Sequence, residues 1–195
     1  MVWICEGAHD GKKNKNFDAT IYNTIFKDNY PNVSFISLGG CVELEKTSKI
    51  NENVIKQIIV NTKVITLFDR DDRNDIDIED AETKSIKILK RRDLESYLFD
   101  DEIINKFCIS IGKADKVEEA IKIKNELLNH NVKLNISSDD VKKASGKIYE
   151  EWKKLLDLNQ RGVGVTSFAK GSLAPLITKE TAVYKELEEI IFKWK

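Results

Sequence analysis

Two apolar runs in this chain end directly in carboxylates. Val2-Trp3-Ile4-Cys5 leads into Glu6-Gly7-Ala8-His9-Asp10, and Val64-Ile65-Thr66-Leu67-Phe68 leads into Asp69-Arg70-Asp71-Asp72. Short runs with little polar alternation suit strands buried on both faces, the condition of a parallel sheet. Between them the spacing predicts a helix over 18–29, with Ile21, Ile25 and Phe26 on one face. Asp18 is its expected N-cap, and Pro31 follows its end. A strand over 33–38 is closed by Gly39-Gly40, and a second helix over 48–60 carries Ile50, Val54, Ile55, Ile58 and Ile59. The pattern β-α-β-α-β with short connections predicts an α/β fold, a mostly parallel sheet flanked by helices. In such sheets the crevice outside the carboxyl ends of the strands is where the chemistry sits.

Beyond Asp72 the chain is polar and acidic through Glu82. Ile86-Lys87-Ile88-Leu89 reads as a fourth, shorter strand, and Lys90 to Phe99 opens a helical region. Periodicity predicts helices over 115–129 and 138–158, a loop over 159–170 and a final amphipathic helix over 178–194. The expected division is a core over residues 1–110 and a mainly helical C-terminal extension over 111–195, packed on that core or appended to it. A strand that begins at residue 2 suits a complete protein and also a domain excised from a longer one; excision is the expectation.

Composition narrows the function classes. Net charge is −1, from 32 basic and 33 acidic residues, which is not the footprint of a protein that binds nucleic acid through global charge, though a local basic stripe can coexist with it. The three cysteines, Cys5, Cys41 and Cys108, are odd in number and lack metal-ligand spacing, which points to buried thiols rather than a disulfide framework. No signal-peptide pattern opens the chain, and no apolar run approaches the ~18 residues a membrane span needs. A cytoplasmic protein is expected. There is no P-loop and no G-x-G-x-x-G, so nucleotide binding of the usual kinds is not expected.

The carboxylates carry the chemistry. Glu6 and Asp10 bracket a loop in which Gly7 allows a tight turn, and Asp69 and Asp71 form a D-x-D at a strand end. Strand alternation would point Asp69 and Asp71 the same way. Two such carboxylates repel unless a cation lies between them, and a hard divalent ion takes oxygen ligands of this kind. His9 lies between Glu6 and Asp10, and a histidine there could bind metal or shuttle protons. Lys12 and Lys13, Arg70 and Arg73, and Arg91 and Arg92 border these motifs and are candidates for contact with a phosphate backbone.

A glutamate after strand one and a D-x-D after strand three resemble the TOPRIM domain of topoisomerases, primases and a group of nucleases, over roughly residues 2–100. The segment Ile88-Leu89-Lys90-Arg91-Arg92-Asp93-Leu94-Glu95-Ser96-Tyr97-Leu98-Phe99 is similar to the stretch in OLD-family nucleases (overcoming lysogenization defect), where a basic segment leads to a glutamate, an aromatic and a leucine. The resemblance implies a metal-dependent nuclease holding two Mg²⁺ or Mn²⁺ ions among Glu6, Asp10, Asp69, Asp71 and Glu95, with Glu6 as general base or shared ligand. It also implies a downstream catalytic lysine, for which Lys170 stands. The family usually places glycine before that lysine; here Gly171 follows it. The partners implied are DNA or RNA, an ABC-type ATPase in cis or in trans, often in phage defence, and a second copy in a homodimer. No membrane partner is implied. A TOPRIM module that binds nucleic acid or a partner without cleaving is the alternative.

Overall fold

The computed structural model describes residues 1–5, 16–38, 53–54, 63–82, 86–158 and 163–193. The chain divides into two compact units, Met1–Lys90 with Leu187–Lys195, and Arg91–Glu186.

The first unit is built on four parallel strands: β1 (Val2–Cys5), β2 (Ser34–Ser37), β3 (Val64–Phe68) and β4 (Ile86–Ile88), in the order β2-β1-β3-β4. This is the α/β parallel architecture expected of the sequence. The register aligns Trp3 with Phe35 and with Ile65, and Cys5 with Ser37 and Leu67. Because alternate side chains face opposite sides, each face of the sheet has its own core. On one face Trp3 stacks on Phe35 at 6.1 Å, and helix α1 (Phe17–Phe26) adds Tyr22 and Phe26 to Phe35 at 5.2 and 5.9 Å. On the other, Ile4, Val64, Phe68 and Ile88 pack with Ile78 and Ala81 of helix α2 (Asp75–Glu82).

Helix α1 begins one residue earlier than its spacing suggests. Asn16, at φ 53°, is the N-cap, and Asp18 lies inside the first turn. Helix α2 was not foreseen, because Asp75–Glu82 has no amphipathic period. Its start is fixed by a reciprocal box: the Asp77 N–H donates to Asn74 Oδ1 at 3.0 Å, and the Asn74 N–H donates to Asp77 Oδ2 at 3.0 Å. Asn74→Ala is expected to cost about 1 kcal/mol of stability in urea unfolding, as loss of an N-cap does. Of the helix expected over 48–60, residues 53–54 are helical and the remainder lies outside the described residues, as do Gly39-Gly40.

In the second unit the described residues are helical, with no strand among them. It contains α3 (Glu95–Leu98), α4 (Asp101–Ser110), α5 (Val117–Lys133), α6 (Val141–Leu155) and α7 (Val165–Phe168). α7 runs on through a π-helical turn (Ala169–Leu173) and a 3₁₀ turn (Ala174–Leu176). The core is aromatic. Tyr149 stacks on Phe168 at 4.5 Å, Phe107 meets Phe168 edge-on at 5.1 Å, and Phe99 lies 5.4 Å from Trp152. The Trp152 indole N–H donates to the Ala120 carbonyl at 3.0 Å, so the buried ring leaves no polar atom unsatisfied. Asp100 caps α4 and Asp140 caps α6. The last helix, α8 (Ala182–Phe192), starts in this unit, where Glu102 accepts the Ala182 and Val183 N–H groups.

Among the described residues no helix is long and apolar enough to cross a membrane. Cys5 and Cys108 are buried, and burial pushes the Cys108 thiol up. Cys41 lies outside the described residues.

Candidate functional site

The strand order sets where the first unit can hold chemistry. From β1 the chain moves to β2 on one side, and from β3 it moves to β4 on the other. β1 and β3 are therefore neighbours at the point where the winding reverses, and a crevice opens at their carboxyl ends in sheets of this kind. β1 ends at Cys5, level with Leu67, and β3 ends one residue later at Phe68. Asp69 is the next residue. It is only 4% exposed, although it is an acid. Glu6, His9, Asp10, Lys12 and Lys13 follow β1 and lie outside the described residues.

Beyond Asp69 the backbone turns instead of continuing the strand. The Arg73 N–H donates to the Arg70 carbonyl at 3.0 Å, and Asp71 inside this turn has φ 48°. Strand alternation therefore does not relate Asp71 to Asp69; the turn does. A positive φ is tolerated by aspartate better than by most residues. Two arginines brace the turn. Arg73 Nη1 donates to the Asp69 carbonyl at 2.8 Å, lies 3.7 Å from Asp71 Oδ2, and its guanidinium sits 5.3 Å from the centre of the Phe68 ring. Arg70 donates to Asp75 at 2.9 Å, to the Lys90 carbonyl at 3.1 Å and to the Arg73 carbonyl at 3.3 Å. The sequence offers both as phosphate contacts. The geometry gives both an internal task.

In the second unit, Arg91, Arg92 and Glu95 fall on one short segment. Arg91 is enclosed by acceptors. Its Nη2 and Nε meet Glu186 at 2.8 and 3.3 Å, its Nη1 meets Asp100 at 2.6 Å and the Ser96 carbonyl at 3.0 Å, and it lies 4.6 Å from the centre of the Tyr97 ring. Burial pulls the guanidinium pKa down, but the bonds to Glu186 and Asp100 outweigh it and the net shift is upward. Arg92 lies 3.6 Å from Asp139 and 3.7 Å from Asp140. Both arginines thus hold their own unit together.

Glu95 is half-buried and is the first residue of α3. Lys170, also half-buried, is not in a loop: helix resumes at Val165 and the lysine sits in the π-helical turn. A π turn is an uncommon distortion that recurs at functional positions.

Sequence reasoning missed Asp93. It is 1% exposed, and its two oxygens join two helix starts. Oδ1 accepts the Ser96 N–H at 2.8 Å and the Ser96 hydroxyl at 2.6 Å, and Oδ2 accepts the Lys142 N–H at 3.0 Å. The spacing Asp93-x-x-Ser96 was the available local signal, since an aspartate three residues ahead of a helical N–H is a cap. Lys142, 49 positions away, left none. Burial pushes the Asp93 carboxyl up, against the pull of the donors from Ser96 and Lys142. An acid raised in the fold contributes stability fully below its unfolded pKa, and loses that contribution as pH rises through the folded one. Relative to Asp93→Asn, thermal stability of the native chain is expected to decline as pH rises from about 4 through that interval.

The donor chemistry of Asp69 and Asp71, carboxylate oxygen only, fits a hard divalent cation. Among the described residues no three His, Cys, Asp or Glu side chains gather into a metal-holding group, and two of the five expected ligands lie outside those residues. No family model, curated protein or solved structure matches the chain.

Proposed function

We propose that the chain is a metal-dependent phosphodiesterase acting on nucleic acid. One observation supports this above the others. Asp69, an acid almost wholly withdrawn from water, stands at the carboxyl end of β3 where the winding of a parallel sheet reverses. Burying a carboxylate is costly, and cost at a crevice signals function more often than scaffold.

In the first unit Asp69 and Asp71 would hold a cation, with Glu6 and Asp10 supplying the rest of the oxygen set from the segment after β1. In the second unit Glu95 and Lys170 are the residues that the family likeness nominates as ligand and as neutraliser of phosphate charge. Mg²⁺ or Mn²⁺, when bound, supplies an activated water and stabilisation of the leaving oxygen. Lys12 and Lys13 remain the candidates for holding the phosphate backbone, since Arg70, Arg73, Arg91 and Arg92 are engaged internally. An ABC-type ATPase partner and a role in phage defence complete the proposal.

That engagement favours a second reading, a module that binds a partner without cleaving. Supercoiled plasmid and tRNA, incubated with the protein in Mg²⁺, Mn²⁺ or EDTA beside Asp69→Ala, separate the two. Cleavage that needs metal and vanishes in the variant supports the nuclease and identifies its polymer. Metal-dependent cleavage retained in full by Asp69→Ala would sink the assignment of that residue. No cleavage, with no heat of Mn²⁺ binding by calorimetry, would leave the binding module.

A further inference from the structure

Helix α3 has only four residues, too few to hold its own shape by internal hydrogen bonds. Yet its second residue is gripped from both sides. The Ser96 N–H and hydroxyl go to the buried Asp93, and the Ser96 carbonyl goes to Arg91. Each gripping residue is itself anchored elsewhere in the unit: Asp93 to the start of α6 through the Lys142 N–H, and Arg91 to Asp100 and Glu186. The Tyr97 hydroxyl closes the arrangement by accepting the Arg91 N–H at 3.1 Å. Besides those structural bonds, the aspartate and the arginine both spend hydrogen bonds on the one residue Ser96. The residue whose main chain this fixes is Glu95, half-buried, bonded to Ser96 and the first residue of α3.

We infer that Arg91 and Asp93 are positioning residues that lock the main chain at Ser96 and so aim the Glu95 carboxylate as a ligand for a divalent cation. This rests on the nuclease reading, which makes Glu95 a ligand. Partners that orient metal ligands typically change metal affinity by about 10- to 100-fold when removed. Arginine is needed at 91 because a planar fork must reach Ser96, Asp100 and Glu186 together. Lysine keeps the charge and loses the fork.

The test uses the full chain and reads Mn²⁺ binding by electron paramagnetic resonance, with thermal unfolding in parallel. Arg91→Lys and Asp93→Asn are expected to weaken Mn²⁺ binding about tenfold or more. Arg91→Lys should leave the affinity for nucleic acid in EDTA unchanged, which a phosphate-contacting arginine replaced by lysine with lost bidentate geometry would not. Glu102→Gln, which loosens the start of α8 in the same unit, should lower thermal stability without touching Mn²⁺ affinity. If either first-named variant is too unstable to assay, Ser96→Ala removes one of the three donors to Asp93 and should still weaken Mn²⁺ about twofold to tenfold, on the scale of one net hydrogen bond. Native Mn²⁺ affinity in the folded variants overturns the inference. Equal weakening by Glu102→Gln also overturns it, because the effect would then be general loosening. Unchanged Mn²⁺ binding by Glu95→Ala would instead bring down the reading of Glu95 as a ligand, whatever Arg91 and Asp93 do.

Discussion

Asp69→Ala is expected to abolish metal-dependent cleavage while leaving the protein folded. The loss should exceed about a hundredfold in rate, the upper range for removing a group that only supports a ligand. The stability outcome discriminates between roles. A structural acid that anchors its surroundings would cost about 3–5 kcal/mol when removed, because its partners are left buried and unsatisfied. A site acid costs the fold something to hold, so its removal should leave the melting temperature unchanged or higher. Asp69→Asn refines the test by keeping the shape and removing the charge. The two variants should be equally inactive and bind Mn²⁺ equally poorly by calorimetry. A fall in melting temperature with native Mn²⁺ binding would mark Asp69 as scaffold.

Trp152→Ala is expected to be the most damaging single change in the second unit. The ring is fully buried, lies against Phe99 and meets Phe168 at 6.4 Å, and its N–H satisfies the Ala120 carbonyl. Removing a buried tryptophan costs about 3–5 kcal/mol through lost burial and the cavity left behind. The lost indole hydrogen bond, a second one on a carbonyl already inside helix α5, adds about 0.5–1.5 kcal/mol. A loss of that size approaches the whole stability of a typical domain. Urea unfolding followed by circular dichroism should therefore give a much lower midpoint, or no folded baseline. Trp152→Phe keeps most of the apolar volume and isolates the hydrogen bond; its loss should be about 0.5–1.5 kcal/mol. If Trp152→Ala unfolds at the native midpoint, the aromatic cluster is not the core of that unit.

How legible all this was depended on the kind of interaction. β1 and β3 could be read to the residue because a strand buried on both faces needs a near-continuous apolar run, and Val2–Cys5 and Val64–Phe68, with Thr66 its one polar residue, are such runs. Helices α5 and α6 were legible through amphipathic spacing, to within a few residues at the ends. Asp75–Glu82 was not, since its helix is set by a local box at Asn74 and Asp77 rather than by a repeating apolar face. Gly162, Gly164 and Gly171 make the stretch before Lys170 read as a loop, and tertiary packing of Phe168, Ala169 and Leu173 overrides that local preference. The site divides the same way. Asp69 was readable as an acid at a strand end. The internal duties of Arg91 and Arg92 were not, because a sequence does not reveal that Glu186 comes back to meet Arg91 across 95 positions.

The packing of Phe192 has a consequence for how the protein is made. Its ring stacks on Tyr30 at 3.7 Å and meets Trp3 and Phe26 edge-on at 6.1 and 5.1 Å, so the first residues of the chain share a core with nearly the last. A ribosome adds roughly 5–20 residues per second, so Trp3 waits on the order of ten seconds or more for that ring to emerge. Throughout synthesis the nascent β1 and α1 carry an aromatic face with its closing piece missing. Slowing translation lengthens the time for which that face stays uncovered.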